Sequence, residues 1–277
     1  MSAGLIGATI TCPDAGAAAA LYETALGYQR LDSGTVTPDQ ARLWQAPALA
    51  GAACVRLAPV RLTPPGPHPG LAGPWLRFIS QPGPPPAAFT SSGWAALELT
   101  VQDCESAVAR LAAHGFIVAG PAADLDFADG ALCAGQVRGP HGEMLYLTEV
   151  RRQVPGYVLP QAAQPIDRLF IAILATPDLE ASLAHQASLG LPESGRFQSV
   201  VPYIAAAQGL PHDHAFSFAT TSIAPGHYLE LDSLPGLAAR PRPQGLLPPG
   251  IAFITLAGTT EGFHTGPAGE SFEILPF

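Results

Sequence analysis

A chain of 277 residues with 48% hydrophobic and 13% charged side chains is globular, and its length suits two domains of ordinary size, each with its own core. A net charge of −9, with no basic cluster beyond Arg151-Arg152, excludes the positive field that nucleic acid needs and disfavours an anionic membrane surface. All 13 basic residues are Arg, so Schiff-base, P-loop and pyridoxal-lysine chemistry are excluded, and Cys12, Cys54, Cys104 and Cys133 form no C-x-x-C site.

The chain opens MSAGLIGATI, without a basic leader, and no later apolar run is long enough to span a bilayer, so a cytoplasmic setting is expected. The β-rich run ATITCPD (8–14) ends in an Asp suited to cap a helix, and a helical period follows it through Leu21, Tyr22 and Ala25 to Gly27. LELTVQD (97–103) repeats the pattern, with a helix running to Gly115, and IAILATPD (171–178) repeats it again, with a helix running to Gly190. A Gly just past the last turn is the expected stop. Strands are expected after each helix: 55–57 and 75–79, 116–118 and 144–148, then 216–218 and 228–232. A shorter fourth unit starts GIAFITLAG (250–258) and ends GESFEILPF (269–277), with no room for a helix between Gly258 and Gly266.

Two echoes tie the halves together. WLRFISQPG (75–83) lies in register with YLELDSLPG (228–236), with Arg77 where the second copy has Glu230, and GPHGE (139–143) matches GPAGE (266–270). The linker near 151–164 divides the chain into expected domains at 1–150 and 165–277, the second with a trimmed last unit.

Four βαβββ-like units in two tandem pairs, with ALYETALGY (20–28) after the first Asp and GP-x-G-E before a final strand, resemble the vicinal oxygen chelate superfamily. That group includes glyoxalase I, bleomycin-resistance proteins and extradiol dioxygenases. The resemblance implies an α+β fold of tandem βαβββ modules, paired into two curled antiparallel sheets with outer helices and a truncated last module. Each sheet would curl around a groove holding either one divalent metal ion or a bare ligand. It also implies a monomer, since one chain carries both pairs.

In that family the metal ligands sit on the first and last strand of each unit. The first-strand places here fall near Gly7, Gly93, Phe170 or Ile171, and Gly250, none of which binds metal through its side chain. The last-strand places hold Arg77, Tyr146, Glu230 and Glu273. Strand alternation puts Tyr228, Glu230 and Asp232 on one face and Leu229 and Leu231 on the other, which leaves Tyr228 and Glu230 for the groove.

Glu230 and Glu273 are therefore the expected catalytic pair in a C-terminal groove. They would act either as acid and base, one with a raised pKa, or as residual metal ligands completed by His212 and His214. The missing first-strand His residues argue against an extradiol iron site, which needs two imidazoles and one carboxylate on one face. Trp75, Arg77, Trp94 and Tyr146, with Tyr228, are candidate substrate contacts for an aromatic or apolar ligand with an anionic or carbonyl group. Glu98 faces away from Leu97 and Leu99, toward groove or solvent.

The reading is a small-molecule enzyme of lyase or isomerase type. Its alternatives are a non-catalytic ligand-binding protein and a scaffold whose grooves have become closed cores.

Overall fold

Asp14, Asp103 and Asp178 each cap a helix, as the repeats predict. In a computed structural model that describes residues 4–60, 74–84 and 86–276, α1 (Ala15–Leu26) starts where the Asp14 carboxylate accepts from the amides of Gly16 and Ala17, at 2.8 and 3.0 Å. Asp103 caps α2 (Cys104–Ala113), and Asp178 caps α3 (Leu179–Ser188). Gly27 ends α1 in the left-handed region at φ 73°, a conformation that costs a glycine little.

Each unit has the same internal order. In the first, β1 (Gly4–Cys12) is followed by α1, β2 (Tyr28–Thr35), β3 (Ala53–Pro59) and β4 (Trp75–Ser80). The second runs β5 (Gly93–Val101), α2, β6 (Ile117–Asp124), β7 (Leu132–Arg138) and β8 (Met144–Val150). The third runs β9 (Ile166–Thr176), α3, β10 (Glu193–Val200), β11 (Ala215–Ala224) and β12 (His227–Ser233). The trimmed fourth has only β13 (Gly250–Ala257), β14 (Gly262–Thr265) and β15 (Ser271–Leu275).

Short helices at 38–43 and 202–207 interrupt the first and third units between their second and third strands. Within each unit the last strand runs parallel to the first, so β4 lies beside β1 and β12 beside β9.

The units pair in a nested way. The first joins the fourth through antiparallel β1 and β13, making a seven-stranded sheet in the order β14-β15-β13-β1-β4-β3-β2. The second joins the third through antiparallel β5 and β9, making an eight-stranded sheet in the order β10-β11-β12-β9-β5-β8-β7-β6. Both sheets are thus mixed, and the expected split into 1–150 and 165–277 does not separate them, because each half contributes strands to both.

Local patterns specify units and not partners, which is why the sequence reading paired neighbours. One apolar core lies between the sheets. It takes Ile10, Leu97, Leu174 and Ile254 from the first strands, together with the buried faces of α1, α2 and α3. The opposite, concave face of each sheet is the potential site.

Two grooves, one closed and one open

The four last-strand positions sort into two couples. The seven-stranded sheet brings Arg77 (β4) to Glu273 (β15), and the eight-stranded sheet brings Tyr146 (β8) toward Glu230 (β12). Glu230 and Glu273, the pair expected to share one groove, sit on different sheets.

In the seven-stranded sheet the groove is filled. Arg77 Nη2 donates to Glu273 Oε2 at 3.1 Å, with both side chains about 5% exposed. Glu273 also accepts from Trp44 Nε1 at 2.7 Å and from Thr255 Oγ1 at 2.8 Å. The Arg77 guanidinium lies 4.3 Å from the Trp75 ring, 5.0 Å from Trp44 and 5.6 Å from Phe253, so cation–π contacts surround the charge that Glu273 neutralises.

Gly7 makes room for this arrangement, because a Cβ there would lie 2.3 Å from the Trp75 indole. Where a first-strand ligand was looked for, the space belongs to that ring. Trp75 and Arg77 are therefore core and not substrate contacts, and Arg77 is not available to pair an anionic ligand. Trp94 is also structural, since its indole donates to the Ser271 carbonyl at 2.9 Å and packs on Phe272, between the sheets.

In the eight-stranded sheet the groove is open, with a cavity of about 210 Å³. Its walls are apolar and aromatic. Phe197 (β10) and Phe218 (β11) stack at 5.3 Å, and Phe127, beyond β6 at the other end of the sheet, reaches Phe197 at 4.9 Å. The strand ends therefore curl until their aromatics meet across the mouth.

The inter-unit linker forms another wall. The Tyr157 hydroxyl is 3.0 Å from Thr220 Oγ1, its ring stands 5.4 Å from Tyr228, and the Val158 amide donates to the Tyr228 hydroxyl oxygen at 2.9 Å.

The floor is acidic. Glu98 of β5 is opposite Tyr146 of β8 in the strand register, and both face the cavity along with Glu230. Thr148 Oγ1 donates to Glu98 at 2.5 Å. Asp232 stands beside Glu230 on the same face of β12, fully buried, and neither of its carboxyl oxygens receives a hydrogen bond from an amide or hydroxyl. The Tyr146 hydroxyl, buried as well, has no partner.

Burial pushes Glu98 up to about 7, and the Thr148 hydroxyl holds it from rising further. Asp232 rises to about 8, through burial and the nearby Glu98 charge. Glu230 lies well above the ordinary carboxylate range because it is buried and repelled by Asp232 and Glu98. Two like groups this close share a proton and titrate as a pair. Tyr146 is held far above the usual phenol range by burial and by the same carboxyls, so it stays a neutral donor.

His212 and His214 are exposed in the turn ahead of β11 and do not join Glu230. The sequence singled out Tyr146, Tyr228 and Glu230 and placed Glu98 on an undecided face. It missed Asp232 as a site residue, although the alternation that put Tyr228 and Glu230 on one face carries Asp232 with them. The wall formed by Val154, Tyr157 and Leu159 carried no periodic signal.

The family model of the Glyoxalase/Bleomycin resistance protein/Dioxygenase superfamily matches residues 5–145. Glyoxalase I from Zea mays superposes with a TM-score of 0.61 over 99% of this chain and 92% of that chain, at 13% identity. A putative dioxygenase from Bacillus subtilis superposes with a TM-score of 0.59 over 99% of this chain and 85% of that chain, also at 13% identity. Identities this low speak for the fold alone. No curated protein matches the sequence.

The divalent metal implied by the family does not fit these donors. The last-strand and first-strand places of the eight-stranded sheet carry Tyr146, Glu230, Gly93 and Phe170 or Ile171, and among the described residues no group of three or more His, Cys, Asp or Glu is placed to hold a metal ion. No described helix is long and apolar enough to cross a membrane.

Proposed function

Because the chain belongs to the Glyoxalase/Bleomycin resistance protein/Dioxygenase superfamily, we propose that it is a small-molecule enzyme of isomerase type, moving a proton between adjacent carbons of an α-hydroxy carbonyl compound in the groove of the eight-stranded sheet. One observation carries the reading: a buried carboxyl with a pKa near neutrality, Glu98, stands beside an unpartnered phenol, Tyr146, on the floor of an apolar cavity.

In this mechanism the Glu98 carboxylate takes the proton from the carbon next to the carbonyl. The C–H electron pair moves into the new C=C bond, and the carbonyl π pair moves onto oxygen. Tyr146 donates its hydroxyl hydrogen bond to that oxygen, where negative charge develops. Glu98 then returns the proton to the former carbonyl carbon, while the proton of the adjacent hydroxyl passes to the oxygen held by Tyr146, so that the hydroxyl-bearing carbon becomes the new carbonyl. Proton abstraction neutralises Glu98 as the oxygen gains charge, so the net charge of the site does not change.

Thr148 orients the base through its hydroxyl, and the apolar walls exclude competing water. A base with a pKa of about 7 is ionised in the upper part of the neutral range, so the rate rises with pH through that value. Glu273 has no part in this chemistry, since Trp44, Arg77 and Thr255 already hold it.

The test is protein-dependent exchange of carbon-bound hydrogen for deuterium, followed by NMR in D₂O over a panel of small apolar ketones and aldehydes. Glu98→Gln is expected to lose about 10²–10⁴-fold of the exchange rate, with Tyr146→Phe also impaired and both variants folded. Exchange that survives Glu98→Gln would remove Glu98 as the base. Binding of the panel with no exchange at all would leave a non-catalytic ligand-binding protein.

A further inference from the structure

The mechanism above leaves the Glu230–Asp232 couple unused. Glu230 lines the cavity and Asp232 stands behind it, fully buried with both oxygens lacking a donor. Buried carboxyls are ordinarily paired with a cation or tied by several hydrogen bonds, and here the protein supplies neither. The chain has no Lys. The guanidinium at the cavity, Arg196, is shared between Glu180 at 2.5 Å and Glu193 at 2.7 Å.

A second, independent feature points into the same space. The Tyr146 hydroxyl is unpartnered, on a residue 8% exposed. Aromatic faces then surround the rest of the volume, with Phe197 on β10 and Phe218 on β11, next to β12, stacked on each other. Carboxyls at one end and aromatic rings around the body are the combination that accepts a desolvated organic cation.

We propose that the groove selects ligands bearing a protonated amine on an apolar or aromatic body, with the ammonium group seated on Glu230 and the Asp232 carboxyl behind it adding to the negative charge. The proposal rests on the groove being the ligand site, and names the substrate class of that reading, but it does not need proton transfer to occur there. In the free protein the couple is satisfied by a shared proton, so an entering ammonium expels it.

The groups that face the couple are Glu98 from β5 and Tyr146 from β8, and Tyr203 from the 202–207 helix acts on Tyr146. Tyr157 from the linker and Arg196 from β10 stand at the cavity walls. None of these is a free cation. The ammonium's competitor is therefore the proton, and affinity should climb as pH rises toward the pKa of about 8 that burial and Glu98 give Asp232.

The experiment is calorimetric titration with three matched probes: phenethylamine, 2-phenylethanol and 3-phenylpropionate. It is run at pH 6.0, 7.0 and 8.5, in buffers of different ionisation heat. The amine stays protonated throughout. The expected result is that at pH 8.5 the amine binds at least about tenfold tighter than the alcohol and the carboxylate does not bind, as charge complementarity requires. The amine should weaken by up to about tenfold per pH unit toward pH 6.0, with about one proton released per amine bound. Glu230→Gln, and separately Asp232→Asn, should abolish the amine's advantage while the alcohol still binds, which shows that the cavity is intact.

Equal affinities for amine and alcohol, tightest binding of the carboxylate, no proton release, or no binding of any probe each overturn the proposal. Amine selectivity without hydrogen exchange on any carbonyl compound would sink the proton-transfer reading and keep this one. Exchange on neutral ketones by a groove indifferent to the amine would do the reverse.

Discussion

At the scale of single residues, the same strand position has opposite fates in the two sheets. Arg77 and Glu273 neutralise each other and are enclosed by three aromatic rings, whereas Tyr146 and Glu230 find no counter-charge and line a cavity. A buried ion pair adds little over an apolar pair, but removing one partner strands the other, at about 3–5 kcal/mol. Glu273→Ala should therefore lower stability by about that much in denaturant unfolding, while the protein that remains folded keeps its hydrogen-exchange rate. A cost below about 1 kcal/mol would mean that the aromatic cage alone holds Arg77. The last-strand positions themselves were legible in the sequence, because alternation in WLRFISQPG and YLELDSLPG fixes which side chains share a face. Which of the four would meet was not, because that depends on contacts such as Trp44 to Glu273, 229 residues apart.

At the scale of elements, the repeated strand, capped helix and Gly stop were legible because Asp caps and left-handed glycines act within a few residues of themselves. The strands that escaped are β2, β7, β10 and β14. Of these, β2 and β10 are sheet edges whose residues are largely exposed and polar, so no apolar alternation announces them. The stretch read only as a linker turned out to be a wall of the open groove. Its anchor is Tyr157, and the strand beneath accommodates it, since a Cβ on Gly195 would lie 2.4 Å from the Tyr157 hydroxyl. Tyr157→Ala removes the contacts to Thr220 and Tyr228 and should free this segment locally. Limited trypsin digestion is expected to cut after Arg151 or Arg152 several times faster in the variant, with phenethylamine binding weakened in parallel. Unchanged cleavage would show that Gln153 and the Val158 amide bond hold the segment without it.

At the scale of the whole molecule, the nested pairing builds the seven-stranded sheet from both ends of the chain and the eight-stranded sheet from its middle, with one core between them, so the buried carboxyls of the second, third and fourth units report on one folded state. Glu98, Glu143 and Glu270 are pushed up to about 7 and Asp232 to about 8, with burial the largest cause in each. A carboxyl whose folded pKa exceeds its unfolded value binds more protons when folded, so its contribution is fully present below about pH 4.5 and is lost as pH rises through 7 to 8. Each shift corresponds to something on the order of 3 kcal/mol, and neighbouring groups do not add. Exposed carboxylates with lowered pKa, such as Glu180 and Glu193 beside Arg196, act in the opposite direction but are screened by water. The melting temperature is therefore expected to fall between pH 5 and pH 8.5, by on the order of 10 °C. Two of the four groups lie outside the open groove: Glu143, which accepts from the Tyr22 hydroxyl at 2.5 Å, and Glu270, which accepts from the Ala268 amide at 2.9 Å. Replacing both by Gln keeps an acceptor at each turn and removes the titration. Differential scanning calorimetry of that double variant should show a shallower decline, with the remainder assigned to Glu98, Glu230 and Asp232. A wild-type profile that is flat or rises across this range would mean that water reaches these carboxyls and that the floor of the groove is not the low-dielectric site that both the base and the cation site require.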